Sequence, residues 1–137
     1  MDADEARRRL ARARVARLAT VRPDGRPHVV PVCFALVGDT AYSAVDQKPK
    51  RSDRLQRLAN VRGGSAAALL ADEWSEDWAE LWWVRADGRA RVVENDGGDN
   101  GEWAAAHAAL RNRYPQYADH RLGAVVAVDV ERWTGWP

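Results

Sequence analysis

The chain is poor in cysteine, in net charge and in long apolar segments. Cys33 is the only cysteine among 137 residues, so no internal disulfide can form. Lys and Arg number 21 against 20 Asp and Glu, for a formal net charge of +1, so no global field recruits nucleic acid or an anionic membrane. No apolar run approaches the roughly 20 residues that cross a bilayer, and residues 1–15 lack the apolar core of a signal peptide. We expect a soluble, cytoplasmic protein.

Sequence motifs for side-chain catalysis are also missing. There is no phosphate-binding lysine loop, no dinucleotide-binding glycine fingerprint and no nucleophile elbow. The histidines, His28, His107 and His120, are far apart and Cys33 has no nearby thiol, so no metal-ligand spacing is present. Carboxylates are plentiful enough for chance pairs, so a two-carboxylate hydrolase has no specific support.

The remaining pattern predicts one domain, residues 1–137, built mainly from antiparallel strands. A hydrophobic fraction of 46% is ordinary for a globular protein, and this length supports one core rather than two. Helices are predicted over residues 3–13, 52–60 and 104–113. Strands are predicted over residues 15–21, 27–37, 40–45, 65–71, 81–93 and 122–130. Because most strands are consecutive and joined by local turns, we expect a small antiparallel barrel with helices on its outside.

Two of the predicted strands have unusual features. Residues 27–37 (PHVVPVCFALV) are apolar at both odd and even positions, so both faces of the strand should be covered. This indicates that one face lies in a barrel interior and the other lies against a helix or a second subunit. Pro27 and Pro31 lack the N–H of a ladder and therefore belong at a sheet edge or a bulge. Asp87-Gly88 interrupts the strand over 81–93 either as a bulge or as a hairpin, and the sequence does not choose between them.

The first predicted helix has a strongly basic face. Asp2 and Glu5 resemble a capping box at its start. The arginines of this face are Arg7, Arg8, Arg9, Arg12 and Arg14. An RNA-binding barrel would use such a face, and its binding would fall steeply with salt. A solvated face with acidic partners one turn away is favoured, because the net charge is close to zero.

The densest local charge lies in residues 46–54, DQKPKRSDR. Its cations are Lys48, Lys50, Arg51 and Arg54. They stand between a predicted strand and a predicted helix, where free backbone N–H groups and the positive end of the helix dipole favour an anion. Arg binds a phosphate through two parallel hydrogen bonds and Lys binds it as a point charge. On the residues alone, a site for a phosphorylated small molecule and a solvated basic loop are equally supported.

Ordered sequence motifs give the chain a family resemblance. They are LATVRPDGRPHVVPV at residues 18–32, KPK at 48–50, RLAN at 57–60, DW…LWWVRADGRA within 77–90, and RWTGW at 132–136. In this order they resemble the pyridoxamine 5′-phosphate oxidase-like split β-barrel superfamily, and within it the small actinobacterial F420-dependent enzymes. The resemblance implies a mainly β, six-stranded antiparallel split β-barrel of the FMN-binding type with peripheral helices. It also implies a homodimer with flavin or deazaflavin sites in grooves at the subunit interface.

The resemblance carries over residue by residue to a cofactor site. The residues along the tricyclic ring would be His28, Val30, Pro31 and Val32. Ser43 on the next strand would lie close to the ring. Trp78, which follows the acidic loop, would come across the interface to wall the ring, and a core role for it is nearly as well supported. The residues that hold the phosphate would be Lys48, Lys50 and Arg51, with Arg54 as a second-rank candidate.

The resemblance implies an oxidoreductase that transfers hydride between F420 and a small organic acceptor. An FMN-binding flavin reductase or oxidase is the alternative, because both cofactors carry a phosphate and a planar ring and residues 46–54 do not separate them. A non-enzymatic cofactor carrier is a further alternative, favoured if the ligand is bound tightly without an open face for substrate. Oxidation of vitamin B6 is not expected, because the additional substrate-binding residues of pyridoxamine phosphate oxidases proper are not found.

Overall fold

The computed structural model describes residues 1–46, 52–119 and 122–137, and its strands form one antiparallel sheet. The strands are β1 (Ala16–Val21), β2 (Pro27–Val32), β3 (Phe34–Val37), β4 (Thr40–Asp46), β5 (Ser65–Glu73), β6 (Trp82–Val93) and β7 (Leu122–Trp136). The helices are α1 (Ala3–Arg12), α2 (Ser52–Val61) and α3 (Glu102–Arg113), and a 3₁₀ helix covers Pro115–Asp119. None of the helices in these ranges is long and apolar enough to cross a membrane.

The sheet confirms the predicted split-barrel fold but contains seven strands rather than six. The strand order is β2-β1-β5-β6-β7-β4-β3, and the sheet is not closed by hydrogen bonds. The predicted strand over residues 27–37 is two strands because the chain changes partner at Cys33. Val32 lies opposite Ala16 of β1, whereas Phe34 lies opposite Ser43 of β4. The two edges of the sheet are therefore consecutive in the chain and are joined covalently through Cys33.

A buried tyrosine fixes this change of partner. The Tyr114 hydroxyl accepts a hydrogen bond from the Phe34 N–H at 3.1 Å. The same hydroxyl lies 2.9 Å from the carbonyl oxygens of Arg14 and Phe34 and can donate to one of them at a time. Because a side chain satisfies the backbone polar groups at the break, the strand can leave β1 and start on β4 without exposing buried polar atoms.

At Asp87-Gly88 the structure has a bulge rather than a hairpin, with the extra residue, Glu131, on β7, and the last strand is longer than predicted. β6 stays paired with β7 on both sides of this step, with a register shift between the two residues. The predicted end of the last strand at Val130 was wrong, because residues 131–136 continue β7 against the first half of β6. The charged, glycine-containing sequence of this segment resembles a loop, and pairing with β6 overrides that local preference.

Two hydrophobic clusters lie on opposite sides of the sheet. The interior cluster joins the strands to α1 and α2 and includes Leu10, Leu18, Phe34, Val61, Leu69 and Val128. The outer cluster packs α3 against β3, β4 and β7 and includes Ala35, Tyr42, Ala106, Leu110 and Val125. The helix α3 thus covers one half of the outer surface of the sheet.

Two arginines of the basic face of α1, Arg8 and Arg9, have the acidic partner one turn away that the sequence predicted. The Asp2 carboxylate accepts the Glu5 N–H at 2.8 Å and caps the helix. The Glu5 carboxylate accepts hydrogen bonds from Arg8 at 2.9 Å and from Arg9 at 2.8 Å. These pairs lie three and four residues apart, where side chains on a helix are neighbours.

A charged network ties α3 to the sheet. Arg91 on β6 donates to Glu102, at the start of α3, at 2.6 Å and to Asp129 on β7 at 2.7 Å. The Tyr42 hydroxyl donates to Glu102 at 2.8 Å, and the Thr40 hydroxyl donates to Asp129 at 3.0 Å. One guanidinium therefore links α3, β4, β6 and β7, with both carboxylates held by a second donor.

Acid is expected to destabilise the fold through this network. Hydrogen bonding to Arg91 lowers the pKa of Glu102 and of Asp129 below their ordinary values of 4.5 and 3.8. Their contribution to stability is therefore present at neutral pH and is lost as the pH falls below about 4 and through the folded pKa values. Urea unfolding between about pH 7 and pH 3 should show a steeper loss for the wild type than for Glu102→Gln. The matched control, Glu76→Gln on an exposed loop, should follow the wild type; an equal slope in all proteins would contradict the prediction.

Candidate functional site

The outer side of β2, β1 and β5, called here the open sheet face, carries exposed apolar side chains. Register places Val29 beside Ala19, and Ala19 beside Ala68, so these side chains point the same way. Val29 is 59% exposed, Val21 44% and Leu70 38%. Within the described ranges no helix covers them, in contrast to the half of the sheet beneath α3. An apolar patch of this kind is typical of a binding surface.

Arginines border the open sheet face. Arg17 of β1 lies opposite Leu70, and Arg85 and Arg89 point outward from the neighbouring β6. Arg17 approaches Asp72 at 3.6 Å and Arg85 donates to Asp87 at 2.9 Å, two partly exposed pairs of little energetic weight. Arg89 has no ion pair among the residues that the structure describes. The face therefore combines an apolar centre with a positive rim, which suits a flat ring bearing an anionic group or a partner with an acidic segment.

β2, the strand predicted to lie along the cofactor ring, forms one border of this face. Of the four residues predicted to line the ring, His28, Val30 and Val32 point inward, whereas Pro31 points outward, opposite Arg17. β2 is an edge strand, which confirms the placement predicted from its prolines. Alternate backbone groups of an edge strand are unpaired, so contacts from β2 to a ring would come chiefly from its backbone.

A buried polar group anchors the start of β2. His28 is 6% exposed and lies opposite Thr20, which is 2% exposed. Asn60 of α2 donates to the Thr20 hydroxyl at 3.0 Å, and Gln56 donates to the Asn60 carbonyl at 2.6 Å. These bonds tie α2 to the β1–β2 hairpin beside its turn, so His28 lies where strand and helix meet.

Ser43 lies inside the barrel. Its hydroxyl is buried and has no hydrogen-bond partner among the described residues. It borders a small void with Leu18, Phe34 and Leu69. Its backbone is paired in register with Phe34 on one side and Val126 on the other. The structure thus does not bring the Ser43 side chain to the open sheet face, where Pro31 lies.

Trp78 is on the surface rather than in the core. It is 72% exposed, and its neighbour in the same loop, Trp74, is 65% exposed. The loop is held by local bonds, because the Asp77 N–H donates to Ser75 at 3.1 Å and the Ala79 N–H donates to Asp77 at 3.0 Å. The core alternative for Trp78 is therefore wrong, and its contact with a ring across a subunit interface stays a prediction.

The structure describes only part of the predicted phosphate-binding segment. Lys48, Lys50 and Arg51 lie outside the described residues, and of Arg54 only the backbone position on α2 is described. The described chain on either side ends at Asp46 of β4 and resumes at the first turn of α2. Their phosphate role stays a prediction.

Sequence reasoning missed the arginine rim. Arg85, Asp87 and Arg89 alternate along β6, and a period of two places all three on one side of a strand. In a continuous strand, that spacing predicts a charged strip beside the apolar positions of β5. The sequence did not establish a continuous strand, because Asp87-Gly88 is also compatible with a hairpin. Within residues 1–46, 52–119 and 122–137, no group of three His, Cys, Asp or Glu residues is placed to hold a metal ion.

Comparison with known proteins gives a family and a set of similar folds. The profile of a family described as pyridoxamine 5′-phosphate oxidase matches residues 3–137. No curated protein sequence matches. Among solved structures, the FAD binding protein from Mycobacterium smegmatis is 20% identical with a TM-score of 0.67, over 99% of this chain and 94% of that chain. A FAD-binding protein from Mesorhizobium loti is 21% identical with a TM-score of 0.69, over 98% and 94%. A heme binding protein from Mycobacterium smegmatis is 26% identical with a TM-score of 0.73, over 98% and 53%.

Proposed function

The chain belongs to the pyridoxamine 5′-phosphate oxidase family, and on this premise we propose that it is an oxidoreductase using a phosphorylated tricyclic cofactor. F420 is the proposed cofactor, and FMN is the alternative. The observation that carries the proposal is the open sheet face, where Val21, Val29 and Leu70 are exposed inside an arginine rim. A flat aromatic ring with an anionic tail matches both parts of that surface.

Each part of the site has a distinct task in this proposal. The apolar centre would pack against the ring and exclude water from one of its faces. Unpaired backbone groups on the edge of β2 would orient the ring, and Lys48, Lys50 and Arg51 would bind the phosphate. When bound, the cofactor supplies the hydride, while the protein supplies position and electrostatics.

We propose that a second copy of the chain covers the open sheet face. The loop that presents Trp78 also carries acidic side chains at Glu76 and Asp77, so its charge is opposite to that of the arginine rim. In a two-fold dimer the same loop and the same face occur on both subunits and can contact each other twice. Trp78 would then reach the ring bound by the partner, as an aromatic anchor of the interface.

Val29→Asp is expected to shift the protein from dimer to monomer, because it places a charge in the apolar centre of the proposed interface. Sedimentation velocity over a range of protein concentrations measures this directly. Val37→Asp is the matched control, since Val37 is 45% exposed on β3, outside the open sheet face. A wild type that remains monomeric at every concentration would contradict the dimer.

The choice between cofactors rests on two different arguments. The motif resemblance favours F420, whereas the similar FAD-binding folds from Mycobacterium smegmatis and Mesorhizobium loti favour a flavin. A carrier protein would share the cofactor site but not the reaction, so it is distinguished by turnover rather than by binding.

A parallel titration of the protein with F420, FMN, FAD and hemin tests the proposal. We expect F420 to bind at micromolar concentration or tighter and FMN and FAD to bind much more weakly, as followed by cofactor fluorescence. Preferential binding of a flavin would establish the alternative, and binding of hemin alone, or of no ligand, would overturn the proposal. With the preferred cofactor reduced, oxidation by a panel of quinone and unsaturated carbonyl acceptors separates an enzyme from a carrier.

A further inference from the structure

A cleft borders the open sheet face at Arg17. It has a volume of about 740 Å³. It is lined by the end of α1, the link to β1, the end of β5, the loop that precedes β6, the start of β6 and Pro137. This volume falls within the roughly 300–1,000 Å³ of small-molecule sites. Apolar surface comes from Ala13, Val15 and Leu81, and Trp82 contributes an indole. Arg17 is the residue that this cleft shares with the arginine rim.

One wall of the cleft is basic. Its arginines are Arg9, Arg12, Arg14 and Arg17. Arg9 is held by Glu5 and lies over the Trp82 ring at 5.3 Å. Arg14 donates to the Arg113 carbonyl at 3.2 Å. The exposed Arg12 makes no hydrogen bond or ion pair with any residue in the described ranges, so its guanidinium is available for a ligand.

The facing wall is acidic. Asp72 is partly engaged by Arg17 at 3.6 Å, and Glu73 accepts a hydrogen bond from the Trp82 indole N–H at 2.9 Å. Glu80 is exposed, and its carboxylate has no partner among the described side chains. The cleft therefore holds one uncommitted cation and one uncommitted anion on walls contributed by different elements.

We propose that this cleft binds a small zwitterion of the dipeptide type, with a carboxylate at one end and an ammonium group at the other. The basic wall would bind the carboxylate, for which the guanidinium of Arg12 has a matching pair of donors. The acidic wall would bind the ammonium through Glu80. A polyanion is disfavoured by the acidic wall and a polycation by the basic wall, because like charges in a shared cleft repel.

An apolar side chain on the ligand would add contacts that the charges do not provide. Val15 is 41% exposed and lines the cleft together with Leu81, so an aliphatic side chain can be buried between the two charged ends. This proposal does not depend on the cofactor site, because neither Arg12 nor Glu80 lies on the open sheet face.

The probe for this site is the dipeptide alanyl-leucine, titrated into ¹⁵N-labelled protein. The Trp82 indole N–H resonance, assigned with Trp82→Phe, reports the cleft directly. We expect alanyl-leucine to shift this resonance with saturation, and expect N-acetylation or C-amidation of the dipeptide to weaken binding by about tenfold each. Arg12→Ala and Glu80→Gln should each weaken binding by about three- to tenfold.

Two control variants test whether the loss of binding is specific to charges in the cleft. Arg26→Ala and Glu131→Gln remove exposed charges outside the cleft and should bind the dipeptide like the wild type. No shift of the Trp82 resonance up to about 10 mM dipeptide, or equal binding of the doubly blocked dipeptide, would overturn the proposal. Undiminished binding by both Arg12→Ala and Glu80→Gln would also overturn it. Thermal unfolding of each variant shows whether a loss of binding reflects a loss of fold.

Discussion

Lys50→Ala is expected to weaken cofactor binding by about 10- to 150-fold, whichever of F420 and FMN proves to be the ligand. The expected loss is that of one charge-assisted hydrogen bond to a phosphate, about 1.5–3 kcal/mol. Lys48→Ala/Lys50→Ala should weaken binding further, because each ammonium group would compensate part of the same phosphate charge. Fluorescence titration of the variants measures the dissociation constants.

The control for this prediction is an arginine that lies away from the cofactor site. Arg26 is on the exposed β1–β2 turn, where it approaches Asp24 at 3.7 Å, and Arg26→Ala should bind the cofactor like the wild type. Raising the salt concentration should weaken binding to the wild type more than to the double lysine variant. An unchanged dissociation constant in Lys48→Ala/Lys50→Ala would remove the phosphate role from residues 46–54.

Gly88→Ala is expected to destabilise the fold by about 3 kcal/mol or more, with Gly88→Val failing to fold. A Cβ atom at Gly88 would lie 2.0 Å from the carbonyl oxygen of Asp129 on β7. Backbone cannot rotate away as a side chain can, so β6 and β7 would have to separate at the bulge. Because β6 and β7 form the longest strand pair of the sheet, that separation affects the whole barrel.

Urea unfolding monitored by tryptophan fluorescence measures the effect of Gly88→Ala. Gly98→Ala is the matched control, because a Cβ there would meet only the flexible Asp96 carboxylate, at 3.4 Å. We expect the control to unfold within about 0.5 kcal/mol of the wild type. An unfolding midpoint for Gly88→Ala equal to that of the wild type would show that β7 yields at the bulge and would contradict the prediction.

Much of the fold was predictable because local signals agreed with the final pairing. The turn at Pro23-Asp24-Gly25, the capping residue Asp2 and the stop at Pro115 all lie where the structure ends or starts an element. The break at Cys33 was not predictable, because it is set by a hydroxyl from Tyr114, far away in the chain. The extension of β7 beyond Val130 likewise depends on a partner strand rather than on its own sequence.

The candidate site was less predictable than the fold. Resemblance pointed to the β2 strand, and the structure places Pro31 at the border of the open sheet face. The resemblance could not show that Ser43 points into the barrel. Which side chains of β4 point inward is fixed by the pairing of β4 with two other strands. Nor could the resemblance reveal the cleft between Arg12 and Glu80, because its walls come from segments that are almost seventy residues apart in the sequence.

The central position of β7 has a consequence for how the protein is made on the ribosome. β7 is translated after the six other strands of this sheet, and it lies between β6 and β4. Until it leaves the exit tunnel, β2-β1-β5-β6 and β3-β4 can only form as separate sheets, each with an apolar side and an unpaired edge. A chain that stalls before β7 would therefore offer chaperones and proteases two exposed half-cores. The final fifteen-residue strand converts both halves into one barrel in a single late step.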